Sequence, residues 1–213
     1  MPILAIATSK GGAGKTTLAA CLAAHWTRSG RSVYCLDTDP NRNLVDWLAD
    51  TDLVCSAVGE DELLTTVADL VARVDWIILD VAGTLDTTLL YAVSVADLVL
   101  IPAQCDRKDI IQAVNTRNTI IQAQDSVGRS ISHRVILTRV NPRADVTRHT
   151  RDQLAPLDLP ALSAVLPART AYQQISYTKG LLINPEIRQD ITAIAAAIDQ
   201  IIGDQIEKIT DEN

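Results

Sequence analysis

The sequence predicts an α/β fold, a mostly parallel twisted sheet with helices on both faces. Three observations predict it. Short aliphatic runs alternate with longer stretches of helical period along the whole chain. Apolar residues make up 47% of the chain while aromatics are 3% and Phe is absent, so the core has to be built from Leu, Ile, Val and Ala, as in strands buried on both faces. A glycine-rich loop and the acidic residues Asp37, Asp39 and Asp80 fall at the carboxyl ends of those runs, the side of such a sheet where ligands bind.

Taken in order, Ile3–Thr8 reads as a first strand running straight into the glycine-rich loop. Lys15–Ser29 has helical character and Gly30 fits its stop. Ser32–Asp37 is a second strand, ended by the acidic pair Asp37 and Asp39 and broken by Pro40. Leu63, Val67, Leu70 and Val74 put a helix over Asp61–Val74. Asp75–Asp80 (DWIILD) is a buried strand ending in a carboxylate. Asp97–Pro102 and Arg134–Thr138 are further strands, separated by a helix over roughly 108–124, and Leu162–Leu166 is a last short strand. Ile187, Ile191, Ile194, Ile198 and Ile201, spaced four, three, four and three, give a final helix one apolar stripe for docking on the sheet. The alternation shows no repeat or linker, so residues 1–213 are expected to form one domain.

The four cysteines (Cys21, Cys35, Cys55, Cys105) have no C-x-x-C spacing and read as small apolar residues in a reducing compartment. With no basic leader in MPILAIATSK and no apolar run of membrane-spanning length, a cytoplasmic protein is expected. The net charge of −7 argues against a nucleic-acid partner on average, but the charge is segregated. Seven acids and no base lie between Arg42 and Arg73, whereas Arg129–Arg151 holds six arginines and one acid, Asp145. That basic stretch is either a solvated helix face or an anion-binding surface.

The chemistry concentrates in KGGAGKTT, residues Lys10, Gly11, Gly12, Ala13, Gly14, Lys15, Thr16 and Thr17. Glycines let backbone N–H groups converge on phosphate oxygens without β-carbons in the way. Lys15 supplies a point charge for the β- and γ-phosphates, Thr16 a hydroxyl for Mg²⁺, and the following helix aims its positive end at the anion. The loop is a P-loop, and ATP with Mg²⁺ is its expected ligand. It departs from the plain pattern in carrying Ser9 where the first glycine belongs and a second lysine, Lys10, before Gly11.

With that second lysine, KGGAGKTT resembles the deviant Walker A motif of the ParA/MinD ATPases. Asp37-Thr38-Asp39-Pro40 is similar to the family's D-x-D-P, and Ile77–Gly83 (IILDVAG) to its Walker B strand and second switch. The likeness is strong over residues 3–101; beyond Cys105 it rests on general order and the LPAR segment, 166–169. The resemblance implies that Lys10 reaches across a homodimer interface to the partner's nucleotide, so that two ATP molecules are sandwiched. It implies that Asp39 orients the attacking water, making Lys10, Lys15 and Asp39 catalytic, and that Asp37 and Asp80 hold Mg²⁺ through waters beside Thr16. Gly83 would let the second switch respond to the γ-phosphate, and adenine contacts would come from Arg139, Asn141 and Pro167. Each carboxylate has an ordinary alternative as a turn or helix-cap residue, Lys10 as a solvent lysine, and Asn141-Pro142 as a turn.

Members of this family segregate plasmids or chromosomes, position protein cargo such as chemoreceptor arrays or microcompartments, or select a division site at the membrane. The membrane branch needs a basic carboxy-terminal amphipathic helix, whereas Asp190, Asp199, Asp204 and Glu207 outnumber Arg188 and Lys208 here, so no membrane partner is expected. The DNA-binding branch needs a basic surface, for which Arg143, Arg148 and Arg151 are the candidates, with Arg107, Lys108, Arg117 and Lys179 as additions. The expectation is therefore a nucleoid-associated partition ATPase with slow turnover, stimulated by a small cargo-bound partner protein. A metabolic P-loop ligase is the outlying alternative.

Overall fold

The structure, a computed structural model, describes residues 1–83, 87–178, 180–182 and 184–211. Its frame is a seven-stranded sheet in the order β3-β2-β4-β1-β5-β6-β7. The strands are β1 (Ile3–Ile6), β2 (Val33–Asp37), β3 (Val54–Ala57), β4 (Trp76–Asp80), β5 (Leu98–Ala103), β6 (Ser132–Val140) and β7 (Leu166–Pro167), and every pairing is parallel. Among the described residues eight α-helices connect or follow them: α1 (Lys15–Arg28), α2 (Asn43–Leu48), α3 (Glu60–Leu70), α4 (Thr87–Val95), α5 (Arg107–Val127), α6 (Asp145–Leu154), α7 (Thr170–Thr178) and α8 (Pro185–Asp211).

Because side chains alternate across a strand, each central strand feeds two cores. In β1, Leu4 and Ile6 face a core closed by α1, α2, α7 and α8, while Ile3 and Ala5 face one closed by α3, α4, α5 and α6. In β4, Trp76 and Ile78 join the first core and Ile77 and Leu79 the second. The chain leaves central β1 towards β2 and β3, returns through β4, and crosses to β5, β6 and β7. The reversal of direction therefore lies beside β1, the place where parallel sheets open a crevice at their carboxyl edge.

The stripe on α8 docks as expected: Ile187, Ile191, Ile194 and Ile198 are fully buried, each contributing about 1.5–3 kcal/mol relative to exposure. The end of the stripe shifts by one residue, with Ile202 buried and Ile201 only partly so. In the same core Trp26 of α1 stacks on Trp76, ring centroids 3.9 Å apart at 11°. All four cysteines are free, Cys21 and Cys35 fully buried.

Five elements lie outside the sequence-based assignment: α2, β3, α4, α6 and α7. The strand expected over Leu162–Leu166 sits instead at Leu166–Pro167, joined upstream only by a single bridge from Ala161 to Val135. The reason is that β6 is long and bulged between Thr138 and Val140, so pairing is interrupted before Pro167 meets Val140.

Candidate nucleotide-binding site

In-register strands set the floor of the site. Ile6 pairs with Asp80, and Asp80 pairs with Asp37, so β1, β4 and β2 end in one row. From β1 the chain enters the glycine-rich loop. Gly12 and Gly14 take φ of 74° and 97°, a left-handed conformation that residues with a β-carbon avoid. Gly14 precedes α1 with no side-chain cap, which leaves the first amides of the helix for an anion. A cavity of about 750 Å³ opens over this loop, lined by Gly11, Gly12, Gly14, Lys15, Thr16 and Thr17 on one side and Thr38, Asp39, Ala82 and Gly83 on the other.

Lys15 is 9% exposed, and its ammonium donates to the carbonyl of Lys10 at 3.1 Å. Burial lowers its pKa, opposed by the nearby charges of Asp80 and Asp39. Gly83 faces that ammonium closely: a β-carbon there would lie 3.3 Å from Lys15 Nζ and 3.5 Å from the amide of Gly11. Thr16 donates its hydroxyl to Asp80 Oδ2 at 2.7 Å. The other oxygen, Asp80 Oδ1, is buried without a partner, and burial pushes the carboxyl up to about 7. An orphaned carboxylate oxygen beside a hydroxyl is a hard-oxygen donor set that suits a partly hydrated Mg²⁺.

The two carboxylates of the D-x-D-P segment have different roles in the structure. Asp37 is buried, and its Oδ1 accepts from the amide of Asp39 at 3.0 Å while Oδ2 accepts from Leu44 at 2.9 Å and Val45 at 3.2 Å. It is thus the cap of α2, reached from the end of β2; burial raises its pKa against those three amides. Asp39 lines the cavity, with its Oδ1 accepting from the backbone and side-chain amides of Asn41, both at 2.9 Å.

Arg139, at φ 53° on the β6 bulge, lines both this cavity and a neighbouring one of about 650 Å³. Gly14 and Thr17 are the other shared walls, and Pro167, Arg169, Tyr172 and Tyr177 complete the second chamber. Asn141 is not brought there. Its Oδ1 accepts from the amide of Arg143 and its carbonyl from Thr147 Oγ1, so it closes a turn. Ala13 is also absent from the walls; its carbonyl accepts from Thr138 Oγ1 beneath the loop. Lys10 lies outside the cavity as well, its ammonium paired with Asp109 and near Asp106 of the α5 start.

Sequence reasoning missed two tethers. Thr38 joins the ends of β2 and β4, its amide donating to the carbonyl of Asp80 and its hydroxyl accepting from the amide of Ala82. Arg169 makes a two-pronged ion pair with Asp190 at 2.7 and 3.0 Å, fixing the second chamber's wall to α8. LPAR was visible as a segment, but the acid on α8 that receives its arginine read as solvent-facing.

Of the arginines in 129–151, Arg129 braces the carbonyls of Ser94 and Ala96, and Arg134 donates to that of His133. Arg143, Arg148 and Arg151 converge instead on a cavity of about 440 Å³ walled by Ser163 and Val165. Arg148 pairs with Asp145 at 2.7 Å in an exposed contact, and Arg151 donates to the carbonyl of Ser163. Lys179 lies outside the described residues.

A phosphate-cradling loop at the switch point of a parallel sheet defines the class of P-loop nucleotide-binding proteins. The chain belongs to the CobQ/CobB/MinD/ParA nucleotide binding domain family, whose model matches residues 4–182. The protein ParA of Rhizobium radiobacter is 30% identical over 202 residues, covering 92% of this chain and 91% of its own. The maintenance of carboxysome distribution protein A of Halothiobacillus neapolitanus is 25% identical over 177 residues, covering 80% and 81%. In fold, the chain is similar to the septum site-determining protein MinD of Pyrococcus horikoshii complexed with Mg-ADP, at a TM-score of 0.76, 18% identity, and coverage of 95% and 97%. Among the described residues no helix is long and apolar enough to cross a membrane.

Proposed function

We propose that this protein is an ATP-hydrolysing partition switch that dimerises around two nucleotides, holds non-specific DNA, and is released when a cargo-bound partner stimulates hydrolysis. ATP and Mg²⁺ are its cofactors. The observation that carries the reading is the convergence of Lys15 and Thr16 on one cavity, with the unpartnered Asp80 oxygen behind them. Thr16 and Asp80 would hold Mg²⁺, which would supply positive charge to offset that of the phosphates. Lys15, freed from the Lys10 carbonyl, neutralises the phosphates, while Asp39 on the opposite wall orients water for in-line attack. Gly83 keeps the second switch close enough to Lys15 to respond to the γ-phosphate.

The DNA partner is supported by the arginine cavity and its place in the fold. The loop 139–143 links Arg139 in the nucleotide chambers to Arg143, and the segment 163–167 links Ser163 to Pro167 in the same way. The same two segments therefore run from one cavity to the other. Phosphate contacts of this kind bind DNA without base readout, and a dimer doubles their number. The protein would then be nucleoid-associated in the cytoplasm.

The test is titration of non-specific duplex DNA at two salt concentrations, with ADP and with ATP. The expected result is ATP-dependent binding with a salt slope of about −0.9 per phosphate contacted. Affinity indifferent to nucleotide would remove the DNA-switch reading. A second reading, positioning of a protein cargo, is favoured by the likeness to the carboxysome distribution protein, and it shares the same mechanics.

A further inference from the structure

Strands β2 and β3 pair in parallel, with Tyr34 opposite Val54, Cys35 opposite Cys55 and Leu36 opposite Ser56. The two cysteines therefore stand side by side, on neighbouring strands about 4.8 Å apart. Both side chains take the same face of the sheet. Cys35 belongs to the core closed by α1, α2, α7 and α8, and Cys55 packs against that core. A disulfide needs Cα atoms about 4.4–6.8 Å apart and β-carbons on one side. The β-carbons must also draw close, and β3 can supply that movement because it is the border strand, paired on one side only. Cys21 on α1 and Cys105 after β5 share no strand pair with either.

The two thiols are not equivalent. Cys35 is fully buried, whereas Cys55 is half-buried beside Val54, which is 51% exposed. Cys55 is thus the sulfur that an oxidant reaches first. Burial pushes its thiol up to about 12, with the charges of Asp37 and Asp80 adding to the rise. At pH 7 about one molecule in 10⁵ then carries the thiolate. Cys35 is raised as well, by burial first and then by Cys55. A brief pulse of oxidant passes such a pair by; lasting exposure converts it.

We propose that Cys35 and Cys55 are a reversible oxidation site, which closes to a disulfide under sustained hydroperoxide and staples one wall of the nucleotide cavity. The Cys55 thiolate attacks a peroxide oxygen, so that an S–O bond forms as the O–O bond breaks. The departing hydroxide becomes water with the proton that Cys55 released. The Cys35 thiol then attacks that sulfur; the S–S bond forms, the S–O bond breaks, and the second oxygen leaves as water with the thiol proton. The two sulfurs lose two electrons and one peroxide gains them. The bridge closes the stretch 35–55, which holds Asp37, Asp39 and all of α2. Within it Asp39, Pro40, Asn41 and Asn43 line the nucleotide cavity. Past its end the amide of Val58 already donates to the carbonyl of Asp37 at 2.9 Å, so β3 is tied to the residue that caps α2.

The test treats the whole chain with hydrogen peroxide, blocks remaining thiols with iodoacetamide, and digests it without reductant. A cross-linked peptide joining Cys35 to Cys55 should appear in the mass spectrum and vanish with dithiothreitol. Its rate of formation should rise about tenfold per pH unit between about pH 7 and 9, following the thiolate. The oxidised chain should melt about 5–10 °C higher, because a closed loop constrains the unfolded state. Hydrogen exchange of the α2 amides should slow severalfold. Cys55→Ser should abolish the cross-link and both effects, and Cys55→Ala serves in its place if the serine lowers the melting temperature of the reduced chain. Conversion of Cys55 to a sulfinic acid without a cross-link overturns the proposal, as does a link to Cys105 or a rate indifferent to pH. Unchanged α2 exchange in the linked chain removes the staple, and the proposal fails with it.

Discussion

Lys15 reaches across its own loop and gives its ammonium to the main-chain carbonyl of Lys10, 3.1 Å away. The two lysines are therefore coupled through the backbone of one and the side chain of the other. The ammonium is buried beside the glycines, where a phosphate offers it a better acceptor than a neutral carbonyl. Lys15→Ala removes that charged donor, worth about 1.5–3 kcal/mol. ATP affinity measured by calorimetry should fall by about 10- to 150-fold, and unchanged affinity would refute the cradle.

The Asp39 side chain accepts from Asn41 and faces the cavity, while the α2 cap on Asp37 uses backbone amides, so Asp39→Ala leaves that cap in place. Asp39→Ala should still form dimers with ATP while phosphate release drops by about 100-fold or more. Dimers absent by light scattering, or turnover preserved, would contradict the assigned role.

Arg143, Arg148 and Arg151 wall one cavity, and only Arg151 braces backbone carbonyls from it. Changing all three to Glu should abolish retention on non-specific duplex DNA while ATP-dependent dimers persist. Undiminished retention in a filter or shift assay moves the DNA surface elsewhere.

Gly83 sits where a β-carbon would come 3.3 Å from the Lys15 ammonium. Gly83→Ala should displace that side chain and weaken ATP binding severalfold without lowering the melting temperature. Equal affinity would mean that the loop absorbs the methyl by a small shift.

The Trp26–Trp76 stack joins the last turn of α1 to the first residue of β4, at the end of both elements away from the site. Trp76→Ala should cost about 3–5 kcal/mol in urea unfolding. A loss under 1 kcal/mol would show that α8 collapses into the gap (about one CH₂ of burial).

Much of the frame was legible because its signals are local. The five strands β1, β2, β4, β5 and β6 are short aliphatic runs ended by punctuation, and α1, α3, α5 and α8 carry periodic apolar faces. Helix α6 was not legible, since its inward positions are Thr147, Thr150 and Leu154, two of them polar. Helix α2 is six residues long and takes its cap from Asp37, six positions before its first residue, a contact invisible to any window of sequence. Strand β3, at the sheet edge, is only partly buried and carries Ser56 among its four residues.

The site divides along the same line. The loop residues announce themselves because glycine, lysine and threonine in that order have one common use. What Asp37 and Lys10 do depends on who faces them, and those neighbours, Leu44 and Asp109, lie on other elements. Chemistry carried by a string of residues is readable; chemistry carried by a meeting of distant ones is not.

The outermost strands have a bearing on assembly. At one border the ribbon is four residues long, and at the other it is only Leu166–Pro167, whose proline has no amide to offer. Neither border presents a long row of open backbone groups, so copies of this chain are poorly equipped to zip together as one continuous sheet. Higher-order contacts fall to side chains and loops instead, and bonds of that sort can be made and undone within a cycle rather than locked for good.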